Sequence, residues 1–222
     1  MQVAGIDLAW GNRARSGIAL TDEAGALLRS ASVTTDEEIA DFLRDSALAV
    51  IAIDAPIIVT NSLGMRECER DLSRDFRKFH AGTHPTNVSQ PSMQPEPRAF
   101  QLCTRHRWNA DHRLTPDVAT PIALEVYPHS SMVGLFSRDR ILEYKARSGR
   151  TPEMRRAQFI ELIDLMERHC DHSLMLSANA RGQEISELVH GATRQSHLNM
   201  VEDEIDAIFC AYVAWVFATT PD

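Results

Sequence analysis

The chain has 222 residues, 31 Asp plus Glu against 23 Lys plus Arg, a formal net charge of −8, and 44% hydrophobic with 24% charged residues. That is the balance of an ordinary globular chain, long enough to bury a core without disulfide or metal staples. It excludes a generally basic nucleic-acid coat and a polybasic membrane binder, both of which need a positive field over much of the surface.

Residues 2 to 33 read as three strands, Val3 to Leu8, Gly17 to Thr21 and Ala26 to Val33, with turns at Gly11 and Gly25. The short links predict an antiparallel meander. Thr35 followed by Glu38 is a capping box, and Ile39, Phe42 and Leu43 repeat at helical spacing, so a helix is predicted from Asp36 to Arg44. As a crossover it delivers Ala49-Val50-Ile51-Ala52-Ile53, the continuous apolar run of a parallel strand covered on both faces, which stops at Asp54-Ala55-Pro56. Gly64 to Lys78 is charged and compatible with a helix. Residues 80 to 121 contain Pro85, Pro91, Pro95, Pro97, Pro116 and Pro121 with little periodicity and read as a long, loop-rich surface insertion.

Ile122 to Tyr127 is a further strand, ended by Pro128. Thr151-Pro152-Glu153 then supplies an N-cap, a proline at the first helical position and a first-turn acid, and Phe159, Leu162, Ile163 and Met166 form one stripe. Another helix is predicted near Gln183 to Val189, and a last one from Glu202 to Thr219 is apolar nearly all round. No repeat or composition break divides the chain, so residues 1–222 are predicted to form one α/β domain. Cys68, Cys103, Cys170 and Cys210 lie far apart with no CxxC pair, and the N-terminus runs straight into a strand, the pattern of a reduced, cytoplasmic protein. Ile205 to Ala218, the longest apolar stretch, is interrupted by Asp206 and too short for a membrane span, so no membrane association is expected.

Four acids occupy apolar elements: Asp7 in the first strand, Asp54 ending the fourth, Glu125 in the fifth and Asp206 in the last helix. A buried carboxylate is expensive unless it is paired, hydrogen-bonded or bound to a cation. A strand-end turn or a helix cap would account for any one of them singly. Asp203 and Asp206, three apart, can share one helix face, where the helix N-terminus eases two like charges and a divalent cation would relieve their repulsion. Acid decoration of the first helical turn, which also holds Glu202 and Glu204, explains Asp203 well and Asp206 poorly. If the fourth strand pairs parallel to the first, Asp7 and Asp54 become neighbours and the last helix can bring Asp206 against them. Such hard oxygen donors suit Mg²⁺ or Mn²⁺.

Arg66, Arg70, Arg74 and Arg77 recur at helical spacing and read as a solvated face paired with nearby acids. Arg98, Arg105, Arg107 and Arg113 lie in the insertion with Phe100 and Trp108, a mix that can contact a phosphate backbone and stack bases, so nucleic acid is a candidate partner. His80, His84, His106, His112 and His129 lack the tight spacing of a zinc motif; His129 is the candidate proton shuttle. No GxxxxGK[ST], HExxH, GxSxG or GxGxxG motif occurs.

In order along the chain, Gly5-Ile6-Asp7-Leu8-Ala9-Trp10, Ile53-Asp54-Ala55-Pro56, Arg66-Glu67-Cys68-Glu69, Glu125-Val126-Tyr127-Pro128 and Asp203-Glu204-Ile205-Asp206-Ala207 resemble the domain-of-unknown-function family numbered 429, regarded as predicted ribonuclease H-like nucleases. The resemblance implies a ribonuclease H-like fold: a five-stranded mixed sheet of order 3-2-1-4-5, flanked by helices, with a long insertion between strands 4 and 5. It relates the chain distantly to Holliday-junction resolvases, whose metal-holding acids match Asp7, Asp54, Asp203 and Asp206; this chain has Asp54 where resolvases have Glu. Glu125 belongs to the family's own pattern, as a ligand or as an acid behind the ligands. The implied activity is phosphodiester hydrolysis with two Mg²⁺ or Mn²⁺ ions, Asp7 bridging them, Asp54 and Asp206 each holding one, and Asp203 or Glu125 completing a shell. The alternative is a non-catalytic module of the same fold that binds nucleic acid or a protein partner.

Overall fold

The structure, a computed structural model, describes residues 1–11, 14–111, 113, 115–169 and 174–220. His112 and Cys170 lie outside the described residues. The predicted meander forms as β1 (Gln2–Asp7), β2 (Ser16–Thr21) and β3 (Leu27–Val33), paired antiparallel with Asp7 opposite Gly17 and Gly17 opposite Ser32. Helix α1 (Asp36–Leu43) starts at the predicted capping box, in which Thr35 Oγ1 accepts from the Glu38 amide at 3.1 Å and Glu38 accepts from the Thr35 amide at 2.9 Å. It carries the chain across to β4 (Leu48–Ile53), which lies parallel to β1 with Ile53 beside Ile6. β5 (Ile122–Glu125) adds in parallel on the far side, giving a five-stranded mixed sheet of order β3-β2-β1-β4-β5.

The insertion between β4 and β5 contains more regular structure than its prolines suggest. Helix α2 (Glu67–Phe76) falls where a charged helix was predicted, and a second helix, α3 (Arg98–His106), lies inside the stretch expected to be loop. α3 forms because Ala99, Leu102 and Cys103 come to one side and bury against β1 and β4 residues, a tertiary contact that a short segment between prolines does not announce. Its first residue, Arg98, points inward: Nε donates to Asp36 at 2.8 Å and Nη1 to the Ala9 carbonyl at 2.9 Å. Trp108 is buried in the same core and stacks on His106. Arg98 and Trp108, grouped above with surface contacts for nucleic acid, therefore hold the fold.

After β5 come α4 (Pro128–Leu135), α5 (Pro152–Arg168), α6 (Ala180–His190), α7 (Gln195–Asn199) and α8 (Glu202–Thr219). Proline at 128 ends the strand as expected but also starts α4, the first-turn role that proline suits. Two cores flank the sheet. Val3, Val50, Ala52 and Leu124 face α8 and α5, including Ile208, Phe209, Phe159 and Leu162; Ile6, Ile51 and Ile53 face α1 and α3. Each fully buried large apolar side chain contributes roughly 1.5–3 kcal/mol.

α8 reaches the sheet more closely than ordinary side chains allow. A Cβ at Gly5 would stand 2.0 Å from the Ala211 nitrogen, and one at Gly17 would stand 1.7 Å from the Asp203 oxygen. These two glycines let the helix backbone lie directly on β1 and β2, which carries its N-terminal acids to the strand ends. Among the described residues no helix is long and apolar enough to cross a membrane.

Candidate functional site

The parallel strands β1, β4 and β5 end at one edge of the sheet, each with an acid at or just after its last position: Asp7, Asp54 and Glu125. In open α/β sheets ligands bind outside this carboxyl edge. Side chains alternate across a strand, so register decides which acids meet. Val3, Gly5 and Asp7 share the face under α8, and Val50, Ala52 and Asp54 stand beside them, while Glu125 pairs with Ile53 on the opposite face.

Asp206, wholly buried in the second turn of α8, completes the α8-side group. One of its oxygens accepts from the Tyr144 hydroxyl at 2.6 Å and the other is held by the Lys145 ammonium, which also lies 4.0 Å from Glu202. The segment bearing Tyr144 and Lys145 is pinned by Arg155, itself completely buried. Its guanidinium donates to the Tyr144 carbonyl at 2.7 Å, Asn199 at 2.9 Å, Glu202 at 2.5 Å, and Gln195.

Burial pushes the Asp7 carboxyl well above the usual range; Asp206, Asp54 and Asp203 add to the shift and Lys145 opposes it. Burial likewise pushes Asp54 up to about 7, opposed by Lys145 and helped by Asp206 and Glu125. The largest influences on these two carboxyls are burial and neighbouring charge. Burial also works against the Lys145 charge, yet Asp206 and Asp7 outweigh it and hold the ammonium above its ordinary range. Among the described residues Lys145 thus acts on all three carboxylates, Asp7, Asp54 and Asp206, while bonded to one of them.

The remaining candidates are placed differently. Asp203, one turn before Asp206, reaches outward to Arg15 at 3.1 Å; burial raises its carboxyl and Arg15 opposes that. Glu125 is gripped by Arg66 through Nη1 at 2.9 Å and Nη2 at 2.5 Å, and accepts from the Ile57 amide at 2.9 Å. Arg66 is accordingly no solvated arginine; it ties β5 to α2 by also donating to Glu69 at 2.7 Å. Arg74 does make the expected surface pairs, with Asp71 and Asp75. His129, in the first turn of α4, lies edge-on to Tyr127 with its Nδ1 buried and unpartnered among the described residues. Burial lowers it to about 4, which leaves a neutral ring near pH 7.

Tyr144, Lys145 and Arg155 escape sequence reasoning because their side-chain partners are 40 to 62 positions away. The one signal was that Lys145 is one of only two lysines in an arginine-rich chain. Among the described residues no three His, Cys, Asp or Glu side chains are grouped so as to hold a metal ion as they stand. With Asp206 engaged, Asp7 and Asp54 remain as donors. Mg²⁺ is in general held by one or two carboxylates while water and substrate oxygens fill the other positions.

No curated protein and no solved structure matches the chain. A family model described as "Protein of unknown function (DUF429)" matches residues 5–220, nearly the whole length, and the chain belongs to that family.

Proposed function

We propose that the chain is a metal-dependent phosphodiester hydrolase of ribonuclease H-like fold, a nuclease, whose active site is the group Asp7, Asp54 and Asp206. The observation that carries this reading is the shortage of positive charge where β1, β4 and α8 converge: two half-buried, elevated carboxyls that make no side-chain hydrogen bond among the described residues, and one lysine already engaged. A fold does not keep such a group for stability, because like charges in a partly desolvated site oppose folding. The sheet order supports the fold assignment.

Asp7 and Asp54 would hold Mg²⁺ or Mn²⁺, with Asp206 and Asp203 beside them. Bound there, such ions would supply activation of a water and stabilisation of the leaving oxygen. Lys145 orients one Asp206 oxygen, and Tyr144 fixes the other. Arg155 holds both of these residues in place from behind. Glu125 positions Arg66 and the chain after Asp54, through Ile57, and stands behind the reacting group.

One observation favours a second reading, a non-catalytic binding module: Lys145 already gives Asp206 a cation. Titration with Mn²⁺ separates the two. Wild type is compared with the Asp7→Asn, Asp206→Asn double variant by thermal stability and by cleavage of labelled single-stranded, double-stranded and branched nucleic acids. The hydrolase reading expects metal-dependent stabilisation and cleavage in wild type, with turnover down about a thousandfold or more in Asp7→Asn. An Asp7→Asn protein that keeps full metal-dependent cleavage overturns it, as does a wild type that neither binds metal nor cleaves.

A further inference from the structure

A cavity of about 260 Å³ opens beside the acid group, sharing Asp54 with it and walled by Trp10, Pro56, Leu72 and Tyr127. Trp10 is 41% exposed, whereas Trp108 and Trp215, the other tryptophans, are buried. An exposed indole facing an apolar cleft is a stacking surface for a flat ring.

The polar groups in the wall define what that ring must present. Glu69 is saturated, accepting from the Arg66 amide and Nε and from the Thr86 amide and hydroxyl. Arg66 has four of its five N–H groups engaged, by Glu69, Glu125 and the Ile58 carbonyl. Free acceptor capacity remains chiefly on the carboxylates: one lone-pair site on Glu125 and those oxygen sites of Asp54 that a metal would leave open. Three carboxylates against one guanidinium repel a phosphate. With one Arg66 N–H and the exposed His84 ring as further polar groups, the wall still offers more acceptors than donors, so it favours a ring edge that donates over one made of carbonyls.

We propose that this cavity binds an amino-bearing nucleobase (cytosine, adenine or guanine), stacked on Trp10 with its N–H groups directed at Glu125 and Asp54. Carboxylates accept from such amino edges. The phosphate attached to that nucleotide then lies outside the cavity, on the Asp7–Asp54 side. The proposal deepens the hydrolase reading, on which it rests for that phosphate: the substrate is a strand whose base is unpaired or turned out of its stack.

The test is binding of free nucleosides to the Asp7→Asn protein in metal-free buffer, followed by tryptophan fluorescence and calorimetry. Cytidine, adenosine or guanosine is expected to bind and quench Trp10, at least about tenfold more tightly than uridine, and Trp10→Ala is expected to weaken binding by about tenfold. D-ribose and inorganic phosphate are expected not to compete. No nucleoside binding, equal binding of uridine, competition by ribose alone or unchanged binding by Trp10→Ala each overturns the proposal. The failures are distinguishable: nucleoside binding in a wild type that never cleaves rejects only the hydrolase reading, and cleavage without nucleoside binding rejects only the cavity.

Discussion

Asp54 and Glu125 stand at the ends of adjacent parallel strands and face opposite surroundings. Glu125 meets a guanidinium and an amide, and the arginine that holds it also holds buried Glu69, so both of these acids have a partner. Asp54 meets burial and more carboxylates, opposed by a lysine that is committed to Asp206. Glu204, two residues before Asp206 in α8, repeats the satisfied pattern through Arg181 at 2.6 Å and Ser30 at 2.6 Å. A buried acid in an apolar element is therefore no sign of a site by itself. The sign is a buried acid whose neighbours leave its charge unanswered.

Removing Arg66 tests the satisfied side hardest. Arg66→Met leaves Glu69, nearly inaccessible, without its cation, and is expected to cost about 3–5 kcal/mol, lowering Tm by roughly 10 °C in a thermal scan. A loss below about 1 kcal/mol would break the contrast between the two sides. Asp54→Asn should move the other way. The Asp54 carboxyl rises from 3.8 to about 7 on folding, so the folded protein binds the extra proton between those values and wild-type stability falls as pH rises through them. Without metal, Asp54→Asn should therefore be more stable than wild type by about 1–2 kcal/mol at about pH 8 and show no gain at about pH 4. Denaturant melts at the two pH values decide it; a loss at the higher pH means that Asp54 is as well partnered as Glu125.

His129 sharpens the contrast from the acid side, with the smallest effect. Its imidazole falls from 6.5 to about 4 on folding, so the unfolded chain takes up the proton first and stability is lost as pH falls from 6.5 toward 4. His129→Phe should flatten that limb by about 1 kcal/mol and leave the limb above pH 7 unchanged. An unaltered acid limb would show that the ring is solvated in the folded protein.

What was legible in the sequence was what local periodicity encodes. The Thr35–Glu38 capping box, the apolar run of β4, the Thr151–Pro152 helix start and the limits of α8 all appear in the structure. So do the positions of the acids, because a charge inside an apolar run is visible in one dimension. α3 and α4 were hidden, since both begin at or beside a proline and take their helical shape from packing rather than from a long stripe. The partners of the acids were hidden for a further reason. Arg66 looks like any arginine on a charged helix until β5 brings Glu125 to it, and Lys145 sits in a stretch without periodicity until Arg155 folds it onto α8. Sequence could propose where charge is buried, whereas only the fold decides which charges are answered.

The glycines at positions 5 and 17 carry a consequence for how the site can vary. Where main chain touches main chain, no rotamer or packing change lies between α8 and the strands to take up slack. The spacing of the Asp7 and Asp206 backbones is thus a fixed gauge, indifferent to exchanges of side chains in the surrounding core. Adaptation has its freedom elsewhere, in the Tyr144–Lys145 segment and the Trp10 wall, where side chains rather than backbone set the dimensions.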